Sequence, residues 1–168
     1  DESGYLTTEH QKMKLAAIES MWETEPAPAS FTLFGIPDTQ DRETHYAVRI
    51  PWVMGLIGTR SLDTPIEGIN ELVESGKTRI ENGIQAYTAL TNMRANMGTG
   101  TPDTADQAIF EQYGNDLGYA YLLKRFVDDP SQATPAQIEQ AANSLVPPVG
   151  TLFWSFRIMV GAGFLFIA

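Results

Sequence analysis

Two short stretches hold the side chains best suited to chemistry. In KLAAIESMWETEP, Lys14 and Glu19 flank an apolar stripe that leads through further carboxylates into a proline-rich exit. In SFRIM, Arg157 and Met159 stand two residues apart inside an apolar run. A positioned carboxylate can take up a proton, and an ammonium can donate to a developing oxyanion. On composition alone Lys14 and Glu19 read as a solvated helix face, and Met159 as a packing or lipid-facing thioether.

The other candidates are fewer. His10 sits on the polar side of a first helical turn and His45 in a predicted hairpin, so solvation and a cross-strand neighbour account for them. A haem held by one of these histidines and Met159 is conceivable from ligand types, yet nothing in the spacing sets either opposite the methionine. HExxH, CxxCH, GxSxG, P-loop and dinucleotide fingerprints are all missing, which removes support for most enzyme classes.

The elements that must position these groups are mostly helical. Thr8 and Gln11 have capping-box spacing, and Leu15, Ile18 and Trp22 recur at helical intervals, predicting a helix over 8–22 that ETEPAPAS ends. FTLFGIP and THYAVRIP read as short strands around a polar tip, closed by Pro37 and Pro51. Thr64 and Pro65 look like the start of a long amphipathic helix reaching residue 96, kinked at Gly76. MGTGTPDT is a flexible break. A further helix over 104–126 is predicted to turn Ile109, Tyr113, Leu117, Tyr121 and Leu122 inward, and a short one to be capped by Thr134 with Pro135 at its start.

From Leu152 to Ala168 the chain is apolar apart from Ser155 and Arg157, which predicts part of a transmembrane helix, since about 20 such residues cross a bilayer. Gly161, Ala162 and Gly163 suit close helix packing in lipid, and Phe153 and Trp154 suit the headgroup level. The alternative is a buried C-terminal helix of a soluble domain. The first residue is Asp1 and no signal peptide is visible, so the chain reads as a piece of a longer one. At 168 residues and 43% apolar it can bury a core. Its net charge of −10 disfavours nucleic acid and anionic lipid, and the lack of cysteine excludes disulfides, thiolate catalysis and Cys-ligated metals.

Taken together and in order, DESGY, KLAAIE, W-E-T-x-P-A-P, FTLFGIPD, TRSLDTP, DLGY-x-x-LLKR and FRIMV-x-x-GF resemble subunit I of the cytochrome bd-type quinol oxidases. The likeness covers essentially the whole chain. It matches the long loop between the sixth and seventh transmembrane helices, in the subgroup with an insertion in the loop's C-terminal part.

The resemblance implies a mainly α fold: a loop domain at 1–148, made of a quinol-contacting part at 1–52 and a helical part at 53–148, then the start of a transmembrane helix at 149–168. It implies an inner-membrane location with the loop on the periplasmic side. Ubiquinol or menaquinol is oxidised there, and electrons pass through low-spin haem b to high-spin haem b and haem d, which reduce oxygen to water. Lys14 and Glu19 match the quinol-interacting pair, Met159 the axial ligand of the low-spin haem, and Arg157 the arginine associated with that haem. The implied partners are the remaining helices of subunit I, subunit II and a small accessory subunit, with no nucleic acid.

These roles are physically coherent. Glu19 can accept a quinol proton and Lys14 can donate to a quinone oxygen. A thioether opposite an imidazole raises a haem's potential, and Arg157 can pair with a propionate or act through its field. Geometry is in tension with them: Lys14 and Glu19 are about 140° apart on a regular helix, and Arg157 and Met159 lie on nearly opposite sides. The other haem ligands and the family's GRQPW-type motif fall outside these residues, so the isolated piece is expected to be inactive. Two rival readings are a non-catalytic periplasmic lid that stabilises the haem site, and a free-standing soluble binding protein.

Overall fold

The structure, a computed structural model, describes residues 2–97 and 104–167. It divides the chain into two compact units, one of residues 1–72 with 146–168, the other of residues 73–145. The architecture is mainly helical with one small sheet. The predicted break at MGTGTPDT lies outside the described residues except at its two ends.

In the first unit the predicted helix over 8–22 is two helices, α1 (Glu2–His10) and α2 (Lys12–Glu19), broken at Gln11, whose φ of −129° and ψ of 49° are not helical. Thr8 therefore lies inside α1 and not at a helix start. Ser20 ends α2 in the left-handed region (φ 52°) and returns its amide to the carbonyls of Ala16 and Ala17, a helix stop more often made with glycine. Of the predicted stripe, Leu15 and Trp22 are buried and Ile18 half-buried, with Ala16, Ala17 and Met21 buried beside them.

The two β-rich runs pair as an antiparallel hairpin of β1 (Phe31–Asp38) and β2 (Glu43–Ile50), with Phe31 opposite Ile50 and Asp38 opposite Glu43. Pro37 lies inside β1, where a two-stranded sheet leaves it an open edge that needs no amide donor. The turn is closed by Asp38 Oδ1, which accepts from the amides of Gln40 and Asp41 at 2.8 and 3.1 Å. Those two bonds hold the Asp38 carboxyl below its ordinary pKa. Thr44 ties the hairpin to the end of α2: its hydroxyl donates to the Ser20 carbonyl (2.9 Å) and accepts from Trp22 Nε1 (3.2 Å), with Ser20 Oγ at 2.8 Å.

A π-helical turn at Gly55–Thr59 follows, and residues 21–25 then run beside 66–70. Glu25 and Ile66 exchange both backbone bonds, while Met21 and Trp22 carbonyls take the amides of Ile69 and Asn70. This pairing is why the long helix begins at Ile69 and not at Thr64: the amide and carbonyl of Ile66 are committed to Glu25. Gly68 makes the approach possible, since a Cβ there would lie 2.3 Å from the Glu23 carbonyl carbon.

The long helix, α3 (Ile69–Asn96), runs on into the second unit and is helical without interruption at Gly76. What that glycine provides is room, because a Cβ would lie 2.7 Å from Leu145 Cδ1. The predicted helix over 104–126 is instead α4 (Thr104–Tyr113), a 3₁₀ turn at Gly114–Asp116, α5 (Leu117–Ala120) and a second 3₁₀ turn at Tyr121–Arg125. Tightening to three residues per turn rotates the inward face, so Ala120 and Leu123 are fully buried while Tyr121 is exposed. Asp116 anchors the segment on α3 by accepting from Arg79 Nε at 2.7 Å and Asn82 Nδ2 at 3.2 Å, where Gly83 again leaves space for backbone. The Thr134 cap is as predicted: α6 (Pro135–Asn143) opens with a full capping box between Thr134 and Gln137.

Back in the first unit, α7 (Val149–Ile167) is the apolar stretch, and it is long and apolar enough to cross a membrane. Its 19 residues span about 28 Å, close to the hydrocarbon thickness of a bilayer. Only 6% of its most apolar window is buried within the chain. Among the described residues nothing lies within 4 Å of where a Cβ would stand at Gly161 or Gly163. Phe153 is fully buried, while Trp154 is partly exposed and packs edge-on against Phe34 of β1.

Candidate functional site

The site is built where α2 ends, β1 begins and α7 passes both. Glu19 is the last residue of α2 and is 2% exposed. Its Oε2 accepts from the Thr32 amide at 3.1 Å and from Arg157 Nη2 at 3.2 Å. Among the described residues its Oε1 takes no hydrogen bond, and it is not sealed from solvent. Burial pushes the Glu19 carboxyl up to about 7, outweighing the Arg157 guanidinium and the Thr32 amide, which both favour the charged form.

Arg157 spends all of its donors within this unit. Nε and Nη2 donate to the Thr32 carbonyl, Nη1 to the carbonyls of Ile18 (2.7 Å) and Phe153 (3.0 Å), and Nη2 also to Glu19. Its guanidinium carbon lies 3.5 Å from the Phe153 ring centroid and 5.4 Å from that of Phe31. A planar fork with five N–H groups can satisfy three carbonyls and a carboxylate at once, which an ammonium cannot. In this arrangement no donor is left for an outside anion such as a propionate.

Of the four residues singled out from sequence, the structure brings together Glu19 and Arg157 and leaves the other two apart from them. Lys14 is exposed on another face of α2, without an ion pair among the described residues, as the helical angle requires. Met159 is 62% exposed on α7, turned away from the side that carries Arg157 into the unit. It stands beside the exposed Ile158. His10 is exposed near Glu9. His45 lies 3.8 Å from Asp38 at the hairpin turn, across from Ile36. Asp38, Asp41 and His45 bring ligand atoms within 4.8 Å of one another, but the cluster is open and Asp38 already holds the turn's amides.

Beside Glu19 opens a polar cavity of about 640 Å³, lined by residues 19–26, by Thr32 and by parts of the hairpin. It reaches the surface at Glu23, Asp41 and Glu43, which are exposed. Sequence reasoning did not find Thr32, Phe153 or this cavity. Thr32 acts through its backbone, which leaves no side-chain signature, and the contacts to Arg157 cross 125 to 139 positions.

The site thus joins a nearly buried acid to a guanidinium on a helix long and apolar enough to cross a membrane, with a polar cavity on its other side. The chain belongs to the cytochrome bd terminal oxidase subunit I family, whose model matches residues 1–168. It is 36% identical over 167 residues to the cytochrome bd-II ubiquinol oxidase subunit 1 of Escherichia coli K12, covering 99% of this chain and 32% of that protein. It is 25% identical over 170 residues to the cytochrome bd ubiquinol oxidase subunit 1 of Bacillus subtilis 168, covering 98% of this chain and 23% of that one. The chain thus spans about a third or less of the length of these relatives.

Proposed function

We propose that this chain is the quinol-oxidising and haem-ligating segment of a respiratory terminal oxidase in the bacterial inner membrane, with residues 1–148 as a periplasmic loop and 149–168 as part of a membrane helix. Within the loop, residues 1–52 carry the quinol contacts and 53–148 the helical insertion. The whole assembly oxidises ubiquinol or menaquinol and reduces oxygen to water, with subunit II, a small accessory subunit and the other helices of subunit I as partners. A low-spin haem b, when bound, accepts electrons one at a time and relays them to the high-spin haem b and haem d, whose ligands lie outside these residues.

The observation that carries this reading is the state of Glu19. A carboxyl raised to about 7 is a usable proton acceptor at neutral pH, because it is close to half-ionised there and can release what it takes up. Its surroundings support that role, with Arg157 of the membrane-competent α7 on one side and a cavity open to the surface on the other. A quinol hydroxyl would meet Glu19 at Oε1, the oxygen open to the cavity, because the Thr32 amide and Arg157 of α7 already hold Oε2. Lys14, on a separate face, contributes a cation at the rim of the site and not a second contact to the same oxygen. Met159 would hold the haem iron from the outward side of α7. Arg157, with its donors committed, acts on that haem through its charge.

In the intact oxidase, Glu19→Gln should lower quinol turnover on the order of 100-fold while an artificial reductant that feeds the haem directly still supports oxygen uptake. In the wild type, quinol turnover should climb as pH rises through about 7, because the base form of Glu19 is the one that works. The Gln variant should lose that limb. Equal losses in both assays would instead favour the second reading, a structural lid, which the five donors of Arg157 binding loop to helix recommend.

A further inference from the structure

A carboxyl that takes a proton from each quinol must lose it before the next one arrives, and Glu19 is sealed on most sides. Its Oε2 faces two donors, the Thr32 amide and Arg157, and neither can accept a proton. The way out is through Oε1 and the cavity. The geometry points to Glu25 as the next acceptor: the proton that Glu19 takes up passes to Glu25 and from there to water through the carboxylate-lined cavity. This rests on the assignment of Glu19 as the base.

Four features of the structure carry it. Glu25 lines the same cavity as Glu19, and is near enough that its charge is felt at Glu19. Its carboxylate is held by Ser30 Oγ, which donates to Oε1 at 2.7 Å from a buried position. Its backbone is fixed by the reciprocal bonds to Ile66. This is how a relay group is held: one oxygen fixed, the other free to exchange a proton with cavity water.

The cavity's charges fit the same role. Glu19 on α2, Glu23 and Glu25 on the following segment, and Asp41 and Glu43 at the hairpin turn set five carboxyls against Arg42 and Arg49. The strand segment at Ile66 adds no charge to the lining, and Asn70 there is neutral. Negative potential in a concave polar site draws protons toward its mouth. A polar space of this size also holds water able to bridge carboxyls that do not touch. The step itself is a proton transfer only: the quinol O–H breaks at Glu19, that O–H breaks in turn at Glu25, and the electrons leave separately to the haem iron and oxygen.

The test uses the intact oxidase and the substitutions Glu25→Gln and Glu25→Asp. The amide of Glu25→Gln still accepts from Ser30, so the local fold is kept while proton carriage is lost. Quinol turnover in Glu25→Gln should fall on the order of tenfold at unchanged KM, with a larger solvent deuterium isotope effect, because water alone offers a slower exit. Added imidazole should restore turnover, Glu25→Asp should retain much of it, and oxidation of the artificial reductant should be unaffected. Wild-type turnover in Glu25→Gln, or a loss equal in both assays that imidazole does not rescue, would overturn the relay. Glu19→Gln run in parallel separates the two ideas. If it abolishes quinol turnover while Glu25→Gln is silent, only the relay fails; if Glu19→Gln is itself silent, the base assignment fails with it.

Discussion

Met159→Leu in the intact oxidase is expected to convert the low-spin haem b spectrum to a high-spin one and to stop quinol-driven reduction of oxygen. Leucine fills nearly the same volume but offers no lone pair, so iron coordination is what changes. The side chain is 62% exposed on α7 and has no part in the Glu19–Arg157 pair, so the substitution should not disturb that joint. Assembly should therefore persist while the spectrum changes. An unchanged low-spin spectrum would take Met159 off the iron. Substituting Ile158, also exposed but without a donor atom, should leave the spectrum as it is and serves as the control.

Arg157→Leu should be the most damaging change to the fold of the first unit. It strips the guanidinium from beneath Glu19 and leaves the Thr32 and Ile18 carbonyls without their partner in a place where water does not replace it. Breaking one side of a buried ion pair costs about 3–5 kcal/mol, a large part of the stability of an ordinary domain. The expected result is a steep loss of assembled oxidase and a lower denaturation midpoint. Arg157→Lys should recover only part, because three donors cannot reach the carbonyls of β1 and α2 together with the carboxylate. The pair Glu19→Leu with Arg157→Leu should be less unstable than Arg157→Leu alone, since the orphaned carboxylate is gone. Full stability in Arg157→Leu would show that the clamp is dispensable.

Much of this fold could be read from the sequence because its signals are local. The hairpin follows from two β-rich runs around a polar turn, α6 from Thr134 and Pro135, and α7 from a long run whose only charge is Arg157. The misplaced boundaries share a different cause. Thr64 and Pro65 resemble a helix start, but pairing of Ile66 with Glu25 takes the backbone groups that a helix there would use. The helix over 104–126 breaks because Gly114, Asn115 and Asp116 are weak helix formers and Asp116 spends its carboxylate on Arg79 and Asn82.

The site was legible as residues and not as an arrangement. The family resemblance marked Glu19 and Arg157 separately, for a quinol and for a haem, and no spacing rule joins positions 138 apart. That they form one ion pair emerges only when α7 packs along α2 and β1. Helical angles alone did predict that Lys14 would not share the face of Glu19, nor Met159 that of Arg157. Glu25 gave no sign at all, since its importance depends on a cavity made by the hairpin turning back over residues 19–26.

The central claim is that Glu19, clamped by Arg157, is where the quinol loses its proton. A density map of the intact oxidase with a bound quinone analogue tests it most directly. The account predicts a ring oxygen within hydrogen-bonding distance of Glu19 Oε1, the oxygen that Arg157 and Thr32 leave unbonded, with the Met159 sulfur on the low-spin haem iron. An analogue bound elsewhere, with the Glu19 and Arg157 pair closed and untouched, would contradict it.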